Sequence, residues 1–390
     1  MKEINYIFLI IAIDVLFLLY GVHTLSINYY EAQIFFNEKG LIHNLINLSC
    51  KIFGQNDYAL RVPFIVIHVL STILIYLVGK PHLKRKIDRV SSVLIFVLLP
   101  GTISAALLVN GASFIIFFTL LFLFFYQKEK KYAAYIVLCV ALFVDAGFVI
   151  LYFLLFFYAI AKRDNILLIV SLFLFTVSLY FFGYEVSGKP KNFFLDTFGV
   201  YAAIFSPFVF LYFIYTQYRI LIKKKKTLLW WISFGAFMCS ILLSFRQRIP
   251  IEDFAPYLII STPLLVRTFF SSYRVRLPDN RRVHKIFLSF VVVSLIFSTF
   301  LALFNQTIYS FFENPKKHFA YTYHVAKELS DELKKNKETA LYVEDSRLAL
   351  RLKFYGIDSG HEERLIEDEN GDIVIKYFNK DIAKYKVISF

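Results

Sequence analysis

The chain has 390 residues, of which 58% are hydrophobic, 19% aromatic and only 18% charged. A soluble domain is about 45–50% apolar and about 25% charged, and 46 Phe with 26 Tyr exceed what a soluble core can bury. This excludes a soluble enzyme, a disordered chain and a disulfide-stapled secreted domain; the apolar excess needs lipid, and the net charge of +14 must first be read against membrane topology.

The charge is unevenly divided. Residues 305–390 carry 14 Lys/Arg and 15 Asp/Glu, whereas residues 1–304 carry 29 and 14. In the apolar part the basic residues form short clusters: Lys2; Lys80 to Arg89; Lys128, Lys130 and Lys131; Lys162 and Arg163; Arg219 with Lys223 to Lys226; and Arg274 to Lys285. Short basic loops stay cytoplasmic, so an even number of spans separates each neighbouring pair.

In chain order, residues 5–25 and 59–79 are two spans. Residues 91–126 hold two, parted at Asn110-Gly111, and 132–161 hold a short hairpin parted at Asp145-Ala146-Gly147. Residues 165–218 break at Glu185 to Asp196, residues 227–272 break at Arg246 to Asp253, and 286–304 are the last span. At about 20 residues per crossing this gives about 11 spans, with the N-terminus cytoplasmic. The expected fold is an α-helical polytopic membrane domain over 1–304 and a small outward-facing, periplasmic or extracellular α/β domain over 305–390.

Between the first two spans lies the outer segment 26–58. From Leu41 the apolar residues Leu41, Ile42, Leu45, Ile46, Leu48, Ile52 and Phe53 recur at helical spacing, with His43, Asn44, Asn47 and Lys51 between them. This predicts an amphipathic surface helix ended by Gly54. In the tail, Val325, Leu329 and Leu333 share a helical face within 319–337. Thr339–Val343, Asp372–Phe378 and Lys386–Phe390 read as strands, and Arg347–Tyr355 is open between helix and strand.

Several residues in these segments together resemble a known family. The stretch YYEAQIFF…GLIHNLINLSCKIFGQNDYALRVPFIVIHVL puts an acidic-Ala pair after the first span, then a surface helix with a His-containing turn, then Ala-Leu-Arg-Val-Pro opening a span. It resembles the polytopic GT-C glycosyltransferases, most closely the protein O-mannosyltransferase and aminoarabinose-transferase-like branch. LLPGTISAALLVNGASFIIFF (98–118) resembles that branch's third and fourth spans, and RQRIPIEDFAPYLIISTPLL (246–265) resembles its stretch before a late span. The departures are Tyr30-Glu31 where the family has Asp-Glu, Asn110-Gly111 where it often has an Asp, and His43-Asn44 in place of a His-Pro-Pro turn.

The resemblance implies transfer of a sugar from a polyprenyl-phosphate carrier to a lipid, glycan or protein acceptor at the outer face of the cytoplasmic membrane. Such a transfer needs a carboxylate to deprotonate the acceptor hydroxyl and cations to hold the leaving phosphate. Glu31 is the candidate base; the plain alternative is a solvated loop carboxylate or a charge at a helix N-terminus. Arg61, Arg246, Arg248, Lys39 and His43 are the candidate substrate and phosphate ligands. Arg61 could instead snorkel as an interfacial anchor, and Arg246 and Arg248 could pair with Glu252 and Asp253. Asp145, Asn110, Glu252 and Asp253 are secondary candidates. No HExxH, CxxC or clustered His/Cys spacing marks a tight metal site, and no cofactor motif is evident; the family leaves a divalent cation open. Cys50, Cys139 and Cys239 form no disulfide framework. Lys223–Lys226 is read as a cytoplasmic loop facing anionic membrane lipids rather than nucleic acid. Two rivals stand beside the transferase reading. One is a non-catalytic GT-C-like assembly subunit, which the missing acidic residues favour. The other is a transporter of lipid-linked substrates, for which the sequence shows no inverted repeat.

Overall fold

The structure is a computed structural model that describes residues 3–183, 191–223, 226–368, 370–378 and 380–389, with only the backbone described for 278–280. Lys2, Glu185, Lys224 and Lys225, placed above in the topology, lie outside the described residues.

The apolar runs are helical. Helix α1 (Glu3–Thr24) is followed by a short α2 (Tyr29–Phe36), then α3 (Leu41–Phe53) and α4 (Asp57–Gly79). Next come α5 (Lys86–Leu98) and α6 (Pro100–Leu107), α7 (Ala112–Gln127), α8 (Lys131–Ala141), α9 (Phe148–Lys162) and α10 (Asn165–Phe182). Then follow α11 (Phe194–Phe205) and α12 (Pro207–Ile222), α13 (Leu228–Ser244), α14 (Ile251–Ile259), α15 (Thr262–Val275) and α16 (Pro278–Leu303). Among the described residues five helical stretches are long and apolar enough to cross a membrane: α1, α4, α10, α14 with α15, and α16. Two further pairs qualify as broken spans, α5–α6 bent by 57° and α11–α12 bent by 105°. Four apolar helices are shorter: α7, α8, α9 and α13. Helices part at Asn110-Gly111, between Ala141 and Phe148 and between Ser244 and Ile251, as the sequence predicts, and the 57° bend at Leu99-Pro100 is additional to that pattern. The bend at Ser206-Pro207 was not anticipated. Proline bars its predecessor from the helical region, and Ser206 takes φ 68, which a non-glycine residue seldom adopts.

The chain packs as two compact units: Met1–Val15, Val66–Ala106 and Asn110–Thr299 form one, and Leu16–Ile65, Leu107–Val109 and Phe300–Phe390 the other. In the first, ion pairs gather the ends that carry the basic clusters. Arg89 donates from Nε and Nη2 to the Glu3 carboxylate at 2.7 Å each, and Arg274 pairs with Asp88. Lys131 meets Asp164 at 3.0 Å. Clusters assigned to one side of the membrane thus meet at shared ends of the bundle. Asp14, buried within α1, meets His68 Nε2 at 2.8 Å, so this intramembrane carboxylate has its polar partner.

In the second unit α3 matches the expected amphipathic helix residue for residue and ends at Gly54, where φ 84 suits glycine. The tail continues through three 3-10 turns to α17 (Ala326–Lys335), β1 (Ala340–Val343), α18 (Ser346–Phe354), β2 (Asp358–Glu367), β3 (Ile373–Tyr377) and β4 (Lys380–Ser389). The four strands are ordered β1-β2-β4-β3, with β1 parallel to β2 and the other pairs antiparallel. Arg347–Tyr355 is resolved as helix, and β2 is a strand that the sequence pattern did not mark, because its exposed side alternates weakly. Val325, Leu329 and Leu333 are buried against Leu341, Leu352 and Leu365, as the helical spacing requires. Burial of each such side chain is worth about 1.5–3 kcal/mol.

Two histidines make this tail sensitive to acid. His318 Nδ1 accepts the Ala320 N–H at 3.0 Å while Nε2 faces the Asn305 carbonyl at 3.0 Å, a pattern that only the neutral ring satisfies. His324, fully buried beside the Tyr309 hydroxyl at 2.8 Å, has its pKa pushed down to about 3, first by burial and then by the charges of His318 and Arg351. The unfolded imidazole protonates near pH 6.5 and the folded one only near 3. Stability is therefore whole above about pH 6.5 and declines as pH falls towards 3, by up to about 4 kcal/mol from His324. Limited proteolysis of the tail should accelerate between pH 7.5 and 4; equal rates would remove this account.

Candidate active site

Glu31 lies at the third position of α2. Asn28 precedes that helix as its N-cap, and the Glu31 side chain reaches back to the Asn28 N–H at 2.9 Å, a reciprocal capping box. The remainder of the Glu31 carboxylate is also held. Arg61 Nη2 donates to Oε2 at 3.0 Å, and the Val109 N–H donates to Oε1 at 2.9 Å. Glu31 is 2% exposed, so it is neither a loop nor a solvated carboxylate. Three of its roughly four lone-pair sites are taken.

Arg61 has no exposed surface. Its Nε donates to the Leu107 carbonyl (2.8 Å), Nη1 to Asp57 (3.2 Å), and Nη2 to the Ser26 carbonyl as well as to Glu31. The snorkelling anchor is thereby corrected: guanidinium and carboxylates are all inside. The same saturation leaves Arg61 little with which to hold a phosphate; it braces Glu31 instead.

Three participants were not singled out in the sequence. Asp57 is 3% exposed and also takes the Tyr355 hydroxyl at 2.7 Å and Lys327 Nζ at 3.4 Å. Tyr355 in turn accepts the Ile27 N–H at 2.9 Å. Arg351 of α18 donates to the Ile27 carbonyl at 2.8 Å, Ser26 Oγ at 3.1 Å and the His324 carbonyl at 2.6 Å. Asp57/Arg61 and Arg351/Tyr355 are each four apart, a legible helical spacing. Their meeting across some 300 residues of sequence was not legible. His43 and Asn47 of α3 serve a nearby need: His43 Nδ1 meets the Ile34 carbonyl at 2.8 Å and Asn47 donates to the Phe35 carbonyl at 3.2 Å, satisfying the last turn of α2. Lys39 is exposed and makes no ion pair among the described residues.

The secondary candidates converge in the other unit. Asp145 Oδ1 accepts the Gly147 N–H at 2.7 Å, and a Cβ at Gly111 would overlap the Asp145 carboxylate. A Cβ at Gly147 would stand 3.0 Å from Asp253 Oδ1 and 3.1 Å from Asp145 Oδ1. Asn110 and Glu252 line one pocket of about 170 Å³ with Ser104, Ala112 and Pro256. The Tyr257 hydroxyl donates to the Gly147 carbonyl at 2.9 Å, fixing α14 beneath the turn. None of the three carboxylates has a cationic partner among the described residues, and no group of three His, Cys, Asp or Glu there is spaced to hold a metal. Arg246 and Arg248 are exposed beside this region and, among the described residues, do not pair with Glu252 or Asp253. Gly111→Ala should displace the Asp145 carboxylate without straining the backbone, since φ at Gly111 is −67. Activity that depends on the Asp145 carboxylate is expected to fall by at least tenfold; unchanged activity would detach Asp145 from the site.

No protein-family model matches the chain, and no curated protein sequence matches it. Solved structures do. ArnT from Cupriavidus metallidurans in the apo state superposes with a TM-score of 0.53 at 10% identity, covering 90% of this chain and 85% of that one. The same protein bound to undecaprenyl phosphate gives a TM-score of 0.52 at 10% identity and the same coverage. The fold is therefore like that of ArnT: an α-helical polytopic membrane domain with a small α/β tail.

Proposed function

We propose that this chain is a membrane glycosyltransferase that moves a sugar from a polyprenyl-phosphate carrier to a lipid, glycan or protein acceptor on the outer side of the cytoplasmic membrane. The observation that carries the proposal is the shared fold over 90% of the chain with a protein whose structure holds undecaprenyl phosphate.

In this reading Glu31 is the general base. Its three donors fix the carboxylate in one orientation, and its remaining lone-pair site would take the proton of the acceptor hydroxyl as oxygen attacks the anomeric carbon and the phosphate departs. Arg61 is a positioning residue. The leaving phosphate would be held by a cation with unspent donors, for which Lys39, in the unit that holds Glu31, is the candidate. Asp145, set against Gly111 in the other unit, stays a secondary candidate.

A second reading is favoured by one observation: the polar capacity of Glu31 and Arg61 is largely spent within the protein, as in a structural brace. On that reading the chain is a non-catalytic GT-C-like assembly subunit. Purified full-length protein in lipid nanodiscs, given radiolabelled polyprenyl-phosphate sugars with membrane glycolipid acceptors, separates the two. The transferase reading expects free polyprenyl phosphate and labelled acceptor in equal amounts. A folded protein that turns over no donor would overturn it in favour of the subunit.

A further inference from the structure

The tail contains a cleft that neither the sequence motifs nor the transfer chemistry uses. It has a volume of about 580 Å³ and is lined by Arg351, Tyr321, Tyr385, Asp345, Glu344 and Leu348, among others. Small-molecule sites typically enclose about 300–1,000 Å³. Its polar groups are unequally spent. Arg351 commits Nε and Nη2 to protein acceptors, but among the described residues Nη1 donates to none. The hydroxyls of Tyr321 and Tyr385 likewise make no hydrogen bond among the described residues. Asp345 gives Oδ1 to the Arg347 N–H at 2.9 Å and keeps Oδ2. At the rim Lys316 and Glu367 neutralise each other at 2.8 Å, as do Arg364 and Glu344 at 2.7 Å.

These groups ask for two things from a ligand. A buried guanidinium edge with two phenol donors suits an anionic oxygen group. Carboxylates a short way off suit hydroxyl donors, and they repel a bare anion. The tyrosine rings and the apolar floor of Val325, Leu348 and Leu365 suit the carbon face of a ring. We propose that this cleft binds an anionic saccharide, a pyranose bearing a carboxylate or phosphate substituent, with the anion towards Arg351 Nη1 and hydroxyls towards Asp345. Binding of this kind needs no turnover, so the site stands whether or not the chain transfers sugar.

Full-length protein in lipid nanodiscs tests this by titration calorimetry with four probes: glucuronic acid, glucose 6-phosphate, glucose and inorganic phosphate. At least one of the two charged sugars should bind tenfold or more tighter than both glucose and phosphate. Leu348→Trp fills the cleft from α18 and should abolish that binding. Because Leu348 also packs against the tail core, the double variant Tyr321→Phe/Tyr385→Phe, which removes only unpartnered hydroxyls, should independently weaken it at least fivefold at unchanged thermal stability. Glucose binding as tightly as the charged sugars, phosphate binding as tightly as either, no probe binding at all, or undiminished binding by the double variant would each overturn the proposal.

Discussion

Arg61→Ala should destabilise the protein by about 3–5 kcal/mol, the cost typical of stranding buried charges when one partner is removed. Four hydrogen bonds leave with the guanidinium. Glu31 and Asp57, exposed by 2% and 3%, then lie inside without the cation between them. Asp57 retains Lys327 at 3.4 Å, whereas Glu31 retains only backbone donors. Arg61→Lys keeps the charge but cannot reach four acceptors in three directions from a single ammonium, so it should fall between wild type and alanine. Thermal or denaturant unfolding in detergent, read beside limited proteolysis, measures both. An alanine variant within about 1 kcal/mol of wild type would show that the network does not hold this unit together.

Glu31→Gln is the second large effect, this time on rate. Glutamine still completes a capping box from the third position of α2, and its carbonyl can keep the Asn28 and Arg61 donors. Its NH₂ then faces the Val109 N–H, donor against donor, at a cost of about 1–3 kcal/mol. The variant should therefore fold, with a modestly lowered midpoint. As the general base it would lower transfer by about 10²–10⁴-fold, the usual worth of a positioned acid–base group. Undiminished transfer ends the assignment of Glu31. Loss of transfer in Asp145→Asn with wild-type rates in Glu31→Gln would move the base to Asp145.

The contrast between these two residues shows how far a single chain can be read. Each of the Glu31 and Arg61 assignments came from a resemblance over residues 26–70, and the structure brings the two side chains to 3.0 Å. Their buried setting is not carried by the local sequence. Arg61 reads as an exposed anchor because a cation at the end of an apolar run ordinarily reaches for water; here Asp57, Glu31 and two carbonyls replace the water. Asn28-Tyr29-Tyr30-Glu31 carries the capping-box signature that starts α2, a local signal not used in the expectation for segment 26–58. Asp145, Asn110, Glu252 and Asp253 were each named singly, but nothing local says that turns some 35 and 105 residues apart close on Gly111 and Gly147.

What the sequence determined by itself is the solvent and the span pattern. Hydropathy runs, basic clusters, Gly54 and the 3.6-residue spacing of α3 and α17 act within about 20 residues, because a helix satisfies its own backbone and needs only an apolar surround. What only the tertiary structure decided is which polar groups are inside and whom they meet. An ion pair's burial depends on what the rest of the chain packs around it. Arg61, Asp57, Tyr355 and Arg351 acquire their roles only when α2, α4 and α18 close over them and exclude water.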